Sequence, residues 1–141
     1  MPPILRNILA VIAGIFVGSA VNMAIVTVGP MLIPPPEGVD MTDMDKFAEN
    51  LKLLEPVNFI APFLAHALGT LVGAFVAAIV ATSHKMKFAL GIGAFFLLGG
   101  ITMVSMFGGP LWFTVLDLVG AYLPMGYLGG ILGGAKKPQP A

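Results

Sequence analysis

Cysteine is absent from this 141-residue chain, and so are the common catalytic motifs. Without cysteine, disulfides, thiolate metal sites and cysteine nucleophiles are excluded. Ser19 and Ser105 lack the G-x-S-x-G surroundings of a hydrolase nucleophile. The chain also has neither the H-E-x-x-H zinc motif nor a glycine-rich phosphate loop with its lysine. The sequence therefore predicts a protein that is not an enzyme and that holds no metal and no cofactor.

Charged residues are also scarce. They make up 10% of the chain, against 57% hydrophobic residues, whereas a soluble domain carries about a quarter charged residues. Four apolar stretches, residues 8–33, 57–82, 88–107 and 111–134, each reach the roughly 20 residues that a helix needs to cross a bilayer. We therefore expect an all-α integral membrane protein, a four-helix bundle forming a single membrane domain over residues 1–141. An outer loop at residues 34–56 would join the first two spans.

The few charges are sorted by position along the chain. Basic residues precede the first stretch, lie between the second and third, and follow the fourth: Arg6, Lys85, Lys87, Lys136 and Lys137. The loop between the first two stretches holds all the acidic residues except Asp117. By the positive-inside rule, both termini are cytoplasmic and the loop faces outward. This pattern suits a multi-pass protein of the bacterial inner membrane, with the lipid bilayer and other membrane helices as partners and no nucleic acid.

The N-terminus permits one alternative interpretation. Arg6, the apolar run after it and the small residues at 18–20 resemble a signal peptide with its cleavage site. The apolar run continues to Ile33 without a polar stretch. We therefore expect the first span to be retained.

The outer loop contains the pattern of a short amphipathic helix over about residues 43–54. Thr42 and Asp45 have the spacing of a capping box, with Asp in place of the usual Glu. An apolar stripe with helical spacing follows, formed by Met44, Phe47, Leu51 and Leu54. The alternative is a cation site built from the loop's acidic residues, but their spacing does not match a calcium-binding loop. An amphipathic helix explains more of the loop's residues than a cation site does, and we therefore expect the helix.

Glycine is abundant in the predicted spans, and its spacing indicates packing faces. Small residues four apart let membrane helices approach closely. The pairs Gly14/Gly18, Gly126/Gly130 and Gly129/Gly133 show this spacing, as does the series Ala65, Gly69, Gly73 and Ala77. These faces predict helix-on-helix contact, with the partner in the same chain or in another subunit.

Polar residues occur at similar predicted depths in three different spans. His66, Asp117 and Asn22 all fall in the outer half of the bilayer, each on a helix face that also carries small residues. A charged side chain inside a bilayer costs about 3 kcal/mol on insertion scales. Asp117 therefore needs a partner or a proton. We expect His66 to be that partner, with Asn22 completing a hydrogen-bonded set and Thr70 contributing more weakly.

Two functions remain open on the sequence alone. The first is an accessory or structural subunit that packs through its glycine-rich faces in a membrane complex or a homo-oligomer. The second is a small solute or proton carrier or channel that uses His66, Asp117 and Asn22, with Thr70 along the pathway. The sequence favours the first, because so few polar residues are present to line a solute path.

Overall fold

A computed structural model describes residues 1–136 of the protein. Lys137, one of the basic residues behind the predicted orientation, lies outside the described residues. Every regular element within residues 1–136 is helical, and they follow one another in this order: α1 (Pro3–Leu32), α2 (Phe47–Leu51), a 3₁₀ turn (Pro56–Phe59), α3 (Ile60–Val80), α4 (Lys85–Phe107), α5 (Leu111–Gly120) and α6 (Leu123–Leu132).

Within residues 1–136, four helical segments are long and apolar enough to cross a membrane, which is the number predicted. They are Pro3–Leu32, Pro56–Val80, Lys85–Phe107 and Leu111–Leu132. The first begins five residues before the predicted start, because Pro3 stands at the first helical position, where a missing N–H is tolerated. The fourth is not one helix but two, α5 and α6, and this break was not predicted.

Helix α3 lies at the centre, and α1 packs along it through glycines. A Cβ placed on Gly14 would lie 2.7 Å from the backbone oxygen of Gly73, and a Cβ on Gly18 would lie 2.7 Å from that of Gly69. These distances leave no space for a side chain, so the two backbones are in direct contact. The close approach predicted from the four-residue spacing is formed within this chain.

Helix α6 uses its two glycine pairs against two different neighbours. Gly129 and Gly133 face α3, whereas Gly126 and Gly130 face α4 at Ala89 and Gly93. The buried cluster between these helices is accordingly made mostly of small side chains: Ala74, Ala77, Ala78, Ala89 and Ile92. The glycine faces identified in the sequence are therefore occupied by helices of the same chain.

At the end of the bundle that carries Arg6, Lys85, Lys87 and Lys136, here called the basic end, α1 is fastened to the turn after α3. The Arg6 Nε donates to the Val80 carbonyl at 2.7 Å. The Asn7 Oδ1 accepts from both the N–H and the hydroxyl of Thr82, at 2.9 and 3.1 Å. The first of these bonds satisfies the Val80 carbonyl, one of the last carbonyls of α3, which have no partner within the helix.

The opposite end, here called the loop end, carries residues 34–55. The helix predicted at about residues 43–54 is shorter in the structure, where α2 covers only Phe47–Leu51. The predicted capping box is not formed, because the Thr42 N–H and hydroxyl both donate to Asp40 Oδ1, at 2.8 and 2.6 Å, and the Asp45 N–H donates to Asp43. These local side-chain bonds compete with helix formation.

Aromatic contacts hold the loop end together. The Phe47 ring of α2 meets Phe107 at the end of α4, with ring centroids 4.9 Å apart. The ring of Phe59 contacts Trp112 and Phe113 at the start of α5, at 5.4 and 4.6 Å. Trp112 is the one of these residues of a type that is enriched where membrane proteins meet the headgroup layer. The loop thus leaves α1, reaches the end of α4 and returns to α3.

Candidate functional site

The fourth span is interrupted at Ala121 and Tyr122. Pro124 has no N–H to donate to the carbonyl of Gly120 four residues earlier, and its ring disfavours a continuous helix. It stands instead in the first turn of α6, where proline is accommodated. The two residues at the break allow α5 and α6 to lie at different angles. Interrupted helices at membrane depth are tolerated where the freed groups are buried in protein or line a cavity.

Asp117 stands in the last turn of α5, directly before this break. Its side chain is 5% exposed. One carboxylate oxygen, Oδ1, lies 2.8 Å from Nδ1 of His66 on α3. The other, Oδ2, accepts a hydrogen bond at 3.2 Å from the hydroxyl of Tyr122. We call these three side chains the polar triad.

The rings of the polar triad are also in contact with each other. The His66 imidazole stacks on Tyr122, with centroids 5.7 Å apart and planes inclined by 25°. Asp117 is therefore in hydrogen-bond contact with both stacked rings, and each of its two carboxyl oxygens has a partner. The expected pairing of Asp117 with His66 is present.

Tyr122 is the member of the polar triad that the sequence reasoning missed. In a continuous helix, a residue five positions after Asp117 would point about 140° away from it. The break at residues 121–122 removes that constraint and brings the hydroxyl back to the carboxylate. The available signal was Gly120 followed four residues later by Pro124, which marks a helix boundary.

His66 is the exposed member of the polar triad. Its side chain is 30% exposed, against 5% for that of Asp117. Nδ1 is directed at the carboxylate, and within residues 1–136 Nε2 has no hydrogen-bond partner. The imidazole thus joins a buried acid to the surface of the bundle.

Asn22 and Thr70, the other two predicted site residues, do not hydrogen-bond to the pair. Asn22 lies against α3 at Gly69, where a Cβ would stand 3.0 Å from the Asn22 Cβ. Thr70 is one turn beyond His66 and 1% exposed. Its hydroxyl is buried and has no hydrogen-bond partner. The expected hydrogen-bonded set of Asn22 with the pair is therefore not formed, because close α1–α3 packing places Asn22 beside a glycine backbone.

Two hydroxyls of α4 are satisfied within their own helix. The hydroxyls of Thr102 and Ser105 each donate to the carbonyl four residues earlier on α4, at 2.8 Å. In the loop, the acidic residues do not converge. Across residues 1–136, no group of three or more histidine, cysteine or acidic side chains is placed to hold a metal ion.

Comparison with protein-family models finds no matching family, and comparison with curated proteins and with solved structures finds no relative.

Proposed function

We propose that this small membrane protein binds and exchanges protons at the polar triad, as a proton carrier or channel. The observation that supports this most is the position of Asp117 at an interrupted span. Broken helices at membrane depth form the ion and substrate sites of many transporters. An ionisable residue inside a membrane segment also indicates function by default. A carrier or channel for a small solute would use the same residues.

The proposed proton exchange uses only the side chains of the polar triad. With His66 neutral and Asp117 ionised, the pair carries one negative charge, stabilised by the Nδ1–H and by the hydroxyl of Tyr122. A proton taken up at Nε2 gives an imidazolium beside the carboxylate, and the pair becomes neutral. Loss of that proton restores the first state. Net neutrality lowers the cost of holding the pair in lipid, so proton binding and burial are coupled.

Thr70 and Asn22 extend this proposal along the α1–α3 interface. Thr70 is one helical turn from His66, and its hydroxyl is buried without a partner. We propose Thr70 as the nearest step of the pathway and Asn22 as a more remote one.

The test is proton flux into liposomes that contain the purified protein and a pH-sensitive dye, driven by a potassium diffusion potential. We expect flux above that of empty liposomes, and its loss in Asp117→Asn, which keeps the shape but removes the charge. Ser105→Ala is the matched control, because its hydroxyl bonds only to its own helix. Equal flux in Asp117→Asn and the unmodified protein would refute the proposal.

We further propose that both termini lie in the cytoplasm of a bacterium, with the protein in its inner membrane. The sorting of basic residues to one end and acidic residues to the other supports this orientation. Since the chain has no cysteine, single cysteines report on one site each. A membrane-impermeant thiol reagent applied to intact cells should label Thr42→Cys in the loop and spare Ser83→Cys. Labelling of Ser83→Cys but not of Thr42→Cys would show that the protein has the opposite orientation.

An accessory or structural subunit remains the second candidate function, and α4 carries the observation that favours it. The glycines on the α1, α3 and α6 faces pack inside the chain, but a Cβ on Gly91 or Gly99 would meet nothing within 4 Å. These two glycines are two helical turns apart on an exposed face, which is suited to another membrane helix. Gly91→Leu with Gly99→Leu should dissociate a homo-oligomer or release a partner in mild detergent, as measured by light scattering. An unchanged particle mass would show that the Gly91/Gly99 face of α4 does not bind another helix.

A further inference from the structure

A hollow at the basic end contains two lysines, a histidine and a serine among its six lining residues. It measures about 390 Å³ and opens between the start of α4 and the end of α6. Its lining residues are Ser83, His84, Lys85, Met86, Lys87 and Ala135. Two lysines, a histidine and a hydroxyl thus surround one space. The acidic residues of the chain are all in the loop of the opposite end, apart from Asp117 in the fourth span.

Little within the described residues neutralises these charges. Lys85 reaches the Gly133 carbonyl at 3.4 Å, which is a long contact, and Lys87 is exposed. The nearby Lys136 places its ammonium 5.1 Å from the centroid of the Tyr127 ring. The positive charge around the hollow is therefore not cancelled by a carboxylate of residues 1–136.

The start of α4 adds to the positive potential. A helix N-terminus carries a partial positive charge, so acidic residues are favoured there and lysines are not. The first turn of α4 nevertheless contains Lys85 and Lys87 and no acidic residue. No side chain caps this terminus, and His84 precedes it in the left-handed conformation at φ 49°. The sequence thus places like charges together where they repel one another.

We propose that this hollow binds a phosphate group, with Lys85 and Lys87 as its main ligands. An anion in the hollow would offset the repulsion between the lysines and pair with the unsatisfied N–H groups of the first turn. The lysines stand in the first turn of the apolar helix α4, and basic residues at the end of a membrane span attract the headgroup phosphates of anionic lipids. A free phosphate has the same chemistry, and the experiment separates the two sources. This inference does not depend on the proton site.

The experiment uses the full-length protein in mild detergent and native mass spectrometry. Phosphatidylglycerol and phosphatidylcholine with identical acyl chains are titrated separately, and inorganic phosphate is titrated by calorimetry. Each lysine near an anionic headgroup contributes a factor of about five in affinity. We therefore expect Lys85→Gln with Lys87→Gln to weaken phosphatidylglycerol binding about 25-fold. Lys46→Gln with Lys52→Gln, which removes the same charge at the loop end, should leave it unchanged.

Each outcome decides the proposal. Preference for phosphatidylglycerol that depends on Lys85 and Lys87 supports a lipid headgroup. Binding of inorganic phosphate with the same dependence, and no preference between the lipids, supports a free anion. Equal losses in the two double variants, or none in Lys85→Gln with Lys87→Gln, overturn the site. If that double variant does not fold, the exposed Lys87→Gln alone should still weaken binding about fivefold, and unchanged binding in it overturns the site.

Discussion

Replacing Gly129 with alanine tests whether the α3–α6 contact holds the polar triad in place. The new Cβ would lie 2.5 Å from the Leu71 backbone oxygen, 2.8 Å from Ala74 Cβ and 2.9 Å from the Phe75 nitrogen. Carbon atoms in contact are normally about 3.5–4.0 Å apart, and two of these three neighbours are backbone atoms that have no rotamer to change. The helices must therefore separate. Overpacking of this kind costs about 1–3 kcal/mol.

The matched control is Gly91→Ala on α4, where a Cβ meets nothing within 4 Å. Both substitutions gain the helix propensity of alanine, up to about 1 kcal/mol, so the difference between the two variants isolates the packing cost. Unfolding is followed by far-UV circular dichroism and by the fluorescence of Trp112, the only tryptophan. We expect Gly129→Ala to be less stable than Gly91→Ala by about 1–3 kcal/mol and to lose proton flux. Equal stabilities would refute the close α3–α6 contact.

Three further predictions follow from particular bonds. Tyr122→Phe keeps the ring stacked on His66 but removes the bond to Asp117, so it should cost about 0.6–1.7 kcal/mol of unfolding free energy. In an Asp117→Ala background, where the acceptor is already gone, it should cost nothing further; an equal cost in both backgrounds would show that the hydroxyl acts elsewhere. At the loop end, the hydroxyl and then the N–H of Thr42 hold the pKa of Asp40 below its usual value. This bond therefore stabilises the loop above the unfolded pKa of about 3.9 and is lost as pH falls through the lower folded value, so the Thr42 amide resonance should titrate with a midpoint below about 3.9 and not titrate in Asp40→Asn. Asn7→Ala should expose the Thr82 amide to faster hydrogen exchange, whereas an unchanged rate would mean that the α1–α3 fastening is not formed in solution.

The broad fold was predictable because its determinants are local in the sequence. A long apolar run specifies a membrane-length helix regardless of its neighbours. Glycines four apart specify a face that accepts a close backbone. For this reason the Gly14/Gly18 face and the two glycine pairs of α6 are recognisable from residue spacing alone, although the helices that they contact are not.

The details of the site depend on geometry that the sequence does not encode locally. Asp117 required a partner on general grounds, and His66 was the nearest ionisable candidate in depth. Tyr122 reaches the carboxylate only because the span breaks. Pro124 marks that break locally, but the direction that α6 takes after it depends on its packing against α3 and α4. Asn22 has a suitable depth, but the α1–α3 contact turns it toward Gly69. In the loop, Asp40 competes for Thr42, which the capping-box spacing does not reveal.

The distance between His66 and Asp117 in a lipid bilayer is the quantity on which the polar triad depends most directly. Solid-state NMR with nitrogen-labelled histidine and carbon-labelled aspartate measures it, and His84→Gln leaves His66 as the only histidine. We expect strong dipolar coupling between His66 Nδ1 and the Asp117 carboxyl carbon, consistent with the 2.8 Å contact to Oδ1, and its loss in Asp117→Ala. Absence of that coupling, with the Asp117 carboxyl in contact with lipid chains or bulk water, would contradict the proposed pairing.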